Sequence, residues 1–251
     1  MIPRNDVSIC RHRYPILFVA VASLLLLLCC QALAQSRSVH FHEQEINYAD
    51  ELWHINVKFP QIDGDEAFNS VVQRSATEQA DTFRKQMEFF DADKDRPNGE
   101  GYMEGSYSAT MQSNGVISVL FTYDEYTPGA VHPWGVMESV NYDTRNHRVL
   151  ALADLFRPGS SYVKRLSKIA IASLEQHEGA EEGFIRHGAG PLESNFKVFT
   201  LTDTELVLLF QQYQVAPGVV PFEQVKIPLT SLAPILRKQY QPPPEASQRR
   251  K

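Results

Sequence analysis

Cysteine is nearly missing from this chain of 251 residues: there are three, and Cys10, Cys29 and Cys30 all fall within the first 34 positions. The rest has no thiol for a disulfide, for nucleophilic catalysis or for zinc ligation. Positive charge is scarce as well, with 24 Lys+Arg against 30 Asp+Glu and a formal net charge of −6. Nucleic-acid phosphates demand clustered Lys and Arg, so nucleic acid is excluded as a partner. Nor is there an apolar run long enough to span a bilayer, which takes roughly 20 residues. Catalytic signatures are also wanting. The Gly105-Ser106-Tyr107-Ser108 stretch is not the Gly-x-Ser-x-Gly elbow, and Gly188-Ala189-Gly190 has no strand before it to make a dinucleotide fingerprint. What the chain does have is a 43% hydrophobic share, which excludes a wholly disordered polymer.

The oiliest stretch lies near the start. Arg4, Arg11, His12 and Arg13 precede an apolar core at residues 16–28, and Ala32-Leu33-Ala34 supplies small residues at a cleavage site. That order is a secretory signal over residues 1–34, with Gln35 as the expected new N-terminus. Lipidation at Cys29 is disfavoured because Leu28, the residue before it, is not small. Contact with the membrane is expected only through this leader or through such lipidation, and the destination is the periplasm or the exterior. Removing the leader leaves 217 residues with 21 Lys+Arg and 29 Asp+Glu, a net charge of −8.

Periodicity then sets the elements. Trp53, Ile55, Val57 and Phe59 alternate with polar residues, which predicts a half-buried strand over 52–59. Asp63 and Glu66 stand at capping-box spacing, and Phe68, Val72, Ala76, Ala80, Phe83 and Met87 step by three or four along a helix of some 25 residues. Asn114-Gly115 joins strands at 102–112 and 116–126, and a loop over 127–135 leads to a second hairpin ending at 150. A helix follows to about residue 177, then a polar connector over 179–192, strands at 196–201 and 205–215, an edge strand at 225–227 and a short helix to 236. Strands and helices that do not alternate imply an α+β fold: an antiparallel sheet with one long N-terminal helix and one helix of the C-terminal half packed on it. We expect lobes at 35–125 and 126–236 and a disordered tail over 237–251.

Two stretches carry a resemblance. Gly129-Ala130-Val131-His132-Pro133, Ser139-Val140-Asn141-Tyr142-Asp143 and Leu152-Ala153-Asp154-Leu155-Phe156 form the first, and Asn195-Phe196-Lys197-Val198-Phe199-Thr200-Leu201 with Val225-Lys226-Ile227-Pro228 the second. Together they resemble the RsiV-type extracytoplasmic domain family, a domain of unknown function found in an anti-sigma factor that is a lysozyme receptor. The region before them is similar to the companion domain of that family and of the PdaC-type peptidoglycan deacetylases. The resemblance implies an envelope protein whose partner is cell-wall glycan or a lysozyme-like protein. This chain departs from the family at Trp134 and at Gly218-Val219-Val220-Pro221, both in loops, where binding specificity resides.

Candidate chemistry is thin. His40 and His42 share a strand face and can offer two metal ligands, and His132 with Asp143 or Asp154 could pair a base with an orienting carboxylate. Ser106 and Ser108 sit mid-strand. No catalytic residue, metal or cofactor is expected. The aromatic residues near the His132 loop, which Tyr123 also borders, are the better candidates: Tyr126, Trp134 and, before the Ala216-Pro217 loop, Tyr213. With His132 they form the expected ligand-binding set, since aromatic rings stack on sugar faces and anchor interfaces. The reading is a non-catalytic binding module; the alternative is a metal-assisted hydrolase of cell-wall material.

Overall fold

The computed structural model describes residues 39–91, 97–177, 180–217 and 222–242, all within one compact unit. The leader and its cleavage site lie outside the described residues. The fold is α+β. Six strands form the larger sheet in chain order: β1 (Phe41–Ala49), β2 (Trp53–Ile62), β3 (Gly101–Met111), β4 (Val116–Tyr126), β5 (Trp134–Asp143) and the short β6 (Arg148–Val149). Every neighbouring pair is antiparallel except β2 and β3, which run parallel in the register Trp53↔Gly101. A parallel pair needs a long crossover, and helix α1 (Glu66–Asp91) supplies it.

The stripe predicted for α1 is the stripe that packs. Phe68, Val72, Ala76, Ala80, Phe83 and Met87 are buried against Ile55, Val57, Met103, Phe121 and Tyr142 of the sheet. The cap, however, is Asp65 and not Asp63, because the Asp65 Oδ1 atom accepts from the Phe68 amide at 3.0 Å. Gly64, with φ at +78°, turns the chain so that Asp63 faces the His42 ring at 3.3 Å instead. The Asn-Gly signal also resolves into a particular turn. Gly115 donates to Gln112 across a four-residue turn and itself takes the left-handed conformation at φ +81°, a three-residue hairpin loop in which only Gly115 has positive φ.

A second, three-stranded antiparallel sheet comprises β7 (Val198–Leu201), β8 (Glu205–Phe210) and β9 (Glu223–Pro228). Helix α2 (Tyr162–Leu174) packs on this sheet, with Leu166, Ala170 and Leu174 against Leu206, Leu208 and Ile227. Polar residues 179–192 contain a helix that composition did not reveal, α3 (Glu182–Gly188). Ile185 and Gly188 are its buried residues, and Gly188 ends it where the Gln214 carbonyl occupies the space of a Cβ. Gly188 is therefore a packing glycine, whereas Gly183 on the same helix has open space around it. A last short helix, α4 (Leu229–Leu232), and a 3-10 turn at Lys238–Tyr240 follow, and the buried Tyr240 hydroxyl donates to Asp143.

The two sheets meet through a polar seam. Strand β7 has β8 on one side only, and its free edge lies on β4 and β5. Side chains of the larger sheet satisfy that edge. Phe199 donates its amide to Ser139 Oγ at 3.1 Å and accepts from Asn141 Nδ2 at 2.8 Å. Leu201 donates to Ser118 Oγ at 3.0 Å and accepts from Gln112 Nε2 at 2.9 Å. Ser118 in turn donates to Asn141 Oδ1 at 2.6 Å. Gln112, Ser118 and Asn141 are buried, and each has its partners, as burial requires. Beside the seam Met137 packs on Val198, Val207 and Leu209. The central strands are thus covered on both faces, by α1 on one side and by the second sheet on the other.

Candidate functional site

The loop before β5 and the turn after β8 come together. Trp134, the first residue of β5, stacks on Tyr213 with ring centroids 5.4 Å apart and planes 11° from parallel. The Tyr213 hydroxyl lies 3.3 Å from His132 Nε2, and His132 Nδ1 lies 2.8 Å from the Pro133 carbonyl oxygen. Trp134 is 46% and Tyr213 37% exposed, so the stacked pair still faces solvent.

The backbone under this pair is held deliberately. Tyr213 takes φ +63°, the left-handed region that a bulky side chain avoids. A tight turn fixes it: Gln214 donates its amide to the Gln211 carbonyl at 3.0 Å, and the Gln214 side chain accepts from the Gln211 amide at 2.9 Å. The turn is fastened to β5, whose outer edge is open here because β6 pairs only with Tyr142 and Asp143. Gln211 fills that gap as a neighbouring strand would, accepting from the Met137 amide at 3.0 Å and donating to its carbonyl at 2.6 Å. Gln212 accepts from the Gly135 amide at 3.1 Å. A cavity of about 360 Å³ continues along this edge between Ser139, Asn195, Lys197 and Gln214.

Tyr126 is not part of the group. Trp134 pairs in register with Glu125, so strand alternation sends the adjacent Tyr126 to the other face of the sheet. There it stacks on Tyr102, at 5.7 Å and 26°. Tyr123, which the sequence also places near the loop, is only 1% exposed and stacks on Phe121 in the core. The hydrolase constellation does not assemble. Asp143 accepts from the amides of Arg145 and Asn146 and closes its own turn, while Asp154 pairs with Arg148 at 3.0 Å and caps Ala151. His40 and His42 pack edge to face at 4.8 Å, and no group of three metal-ligating side chains occurs among the described residues. Ser106 faces Thr122 across the β3–β4 ladder at 3.4 Å.

Two carboxylates lie between the sheet and α1. Burial pushes the Glu138 carboxyl above its ordinary value of 4.5, and it does the same to Glu125 despite the Gln79 amide that donates to it at 2.8 Å. The Tyr123 phenol between them is also pushed up, first by burial and then by both carboxylates. Because the folded state holds these protons more tightly than the unfolded chain does, stability is highest below the ordinary glutamate value. It declines as pH rises through the raised folded value. The double variant Glu125→Gln, Glu138→Gln is expected to flatten that decline, with denaturant midpoints followed between pH 4 and about pH 8. A decline as steep in the variant as in the parent would assign it to other groups.

Residues 46–134 match the family model described as Deacetylase PdaC, and residues 153–230 match the one described as a protein of unknown function, DUF3298. Two successive regions of the chain are thus each similar to a known family, the first to PdaC and the second to DUF3298. A curated relative is the peptidoglycan-N-acetylmuramic acid deacetylase PdaC of Bacillus subtilis, 26% identical over 177 residues that make up 70% of this chain. The match spans only 37% of that relative's length. Two crystal structures share the fold. A DUF3298 family protein from Pseudomonas aeruginosa superposes with a TM-score of 0.58 at 17% identity, covering 82% of this chain and 96% of its own. A DUF3298 family member from Bacteroides fragilis does so with 0.53 at 14% identity, covering 84% and 97%.

Proposed function

We propose that the chain is an exported, non-catalytic cell-envelope protein of RsiV-type kinship that binds cell-wall glycan through Trp134, Tyr213 and His132. The observation that carries this reading is the exposed Trp134–Tyr213 stack on a strained, fastened turn. A bulky residue kept at positive φ stores strain of order 1–3 kcal/mol, and such positions gather at binding and catalytic sites. A rigid aromatic surface loses little entropy on binding and matches the apolar face of a sugar ring. The PdaC relative is named for acting on peptidoglycan N-acetylmuramic acid, which supports the same polymer as the ligand of this chain. The secretory leader supports the location.

The test is cosedimentation of the chain from Gln35 onward with purified peptidoglycan. Trp134→Ala is expected to weaken binding at least tenfold, the loss typical of an anchoring aromatic. That loss is expected at low and high salt alike, because stacking does not depend on a Debye length that shrinks from about 10 Å at 0.1 M to about 3 Å at 1 M. Binding that vanishes with salt but survives Trp134→Ala would favour a second reading, a basic lysozyme-type protein drawn by the net charge of −8 beyond the leader. Bound zinc near stoichiometry would instead restore the hydrolase reading.

A further inference from the structure

The second aromatic group has its own chemistry. His54 of β2, Tyr102 of β3 and Tyr126 of β4 line up across three neighbouring strands, with 6.0 Å and 21° between the first two rings and 5.7 Å and 26° between the last two. All three leave the sheet on the face opposite α1, at the end that the second sheet does not cover. Three carboxylates border them. Glu100 Oε1 lies 2.9 Å from His54 Nδ1, Glu104 Oε1 lies 3.4 Å from His54 Nε2, and Asp124 Oδ2 accepts from the Tyr102 hydroxyl at 3.4 Å. The side chains are open to solvent: His54 is 39%, Glu100 61% and Glu104 53% exposed.

Charge is the telling feature. Among the described residues no lysine or arginine pairs with any of the three carboxylates, and the nearby Lys58 is taken by Glu43 and Glu45 on β1. Among the described residues, one imidazole is the only basic group set against these three acids. Each carboxylate uses a single oxygen for its contact within the strip, which leaves the second oxygen of each to accept from outside. Aromatic faces attract ammonium groups and the C–H faces of pyranose rings, and carboxylates hydrogen-bond ammonium and hydroxyl groups. A single ligand class meets all of these demands at once.

We infer that the His54–Tyr102–Tyr126 strip with Glu100, Glu104 and Asp124 is a second binding site, whose ligand is a saccharide bearing free amino groups. A neutral N-acetylated sugar would stack but leave the carboxylates without a cation. A purely cationic peptide would satisfy the charges and reach the rings through its ammonium groups alone, with no pyranose face to stack on them. The site shares no residue with the Trp134 stack, and the inference does not rest on that reading.

The probes are a glucosamine tetramer, its fully N-acetylated counterpart and tetralysine, each titrated calorimetrically into the chain from Gln35 onward at low salt. The glucosamine tetramer is expected to bind at least tenfold more tightly than either of the others. Tyr102→Ala is expected to weaken it at least tenfold. The pair Glu104→Gln, Asp124→Asn, which preserves shape and so guards against a folding defect, is expected to erase the preference over the acetylated tetramer. Equal binding of the two sugar tetramers would overturn the inference, as would tetralysine binding as tightly as the amino sugar, which would indicate a basic protein partner. A preference that survives Glu104→Gln, Asp124→Asn would overturn it as well. Because the readout is amine dependence at Tyr102, Glu104 and Asp124, a negative result here leaves the Trp134 reading to its own test.

Discussion

Phe83→Ala is expected to lower the unfolding free energy by about 3–5 kcal/mol, the range for truncating a fully buried phenylalanine. Phe83 is 1% exposed and lies in the C-terminal half of the buried stripe of α1, against the larger sheet. The loss has two sources. One is the transfer energy of the ring, about 25 cal/mol for each Å² of apolar surface buried. The other is the cavity, which cannot close because the ring's surroundings are held on both sides, by the sheet and by a helix of 26 residues. Equilibrium denaturation in urea measures it, and a loss well under 1 kcal/mol would mean that α1 carries little of the fold. Phe89, six residues further along and 85% exposed, is the control on the same helix. Phe89→Ala is expected to change stability by less than about 0.5 kcal/mol, as surface substitutions do.

Asn141→Ala is expected to destabilise by about 2–4 kcal/mol, although it deletes no apolar group. Its amide joins the sheets, accepting from Ser118 Oγ and donating to the Phe199 carbonyl. Truncation leaves the Phe199 carbonyl without its donor and the Ser118 hydroxyl proton without its acceptor, and each such orphan costs about 1–3 kcal/mol. Thr110→Ala is the internal comparison. Its hydroxyl reaches the Leu201 carbonyl at 3.3 Å, but Gln112 already donates to that carbonyl at 2.9 Å. A loss under about 1 kcal/mol is therefore expected there. If the two substitutions had equal effects, the seam would be held by apolar packing and not by its hydrogen bonds.

The contrast between these substitutions marks how much of the molecule is legible in its sequence. Phe83 can be assigned to the core from spacing alone, because a helix repeats every 3.6 residues and the stripe has no polar interruption. The same holds for Trp53, Ile55, Val57 and Phe59, whose alternation of period two has one outcome in a half-buried strand. The hairpin at Asn114-Gly115 is local as well, since its signal is a backbone conformation that glycine takes freely. Composition by itself places all three cysteines within the first 34 positions and gives the chain an acidic balance.

Asn141 could not be read in this way. Nothing within a few residues of it says that its amide will meet a strand nearly 60 positions later, so the pairing of β7 with the larger sheet was settled by tertiary packing. The same is true of α3, whose polar sequence is helical because Ile185 and Gly188 seat against the C-terminal core. The site divides along this line. Aromatic residues near the His132 loop are visible in the sequence as candidates, but proximity in the chain does not fix direction. A one-residue step along β4 and the Glu125↔Trp134 register separate Tyr126 from Trp134, and a left-handed turn 79 positions away brings Tyr213 onto the tryptophan. The sequence alone determined which residues are aromatic and which are acidic. The fold decided which of them share a surface, because strand alternation and long-range hydrogen bonds depend on partners that lie far off in the chain.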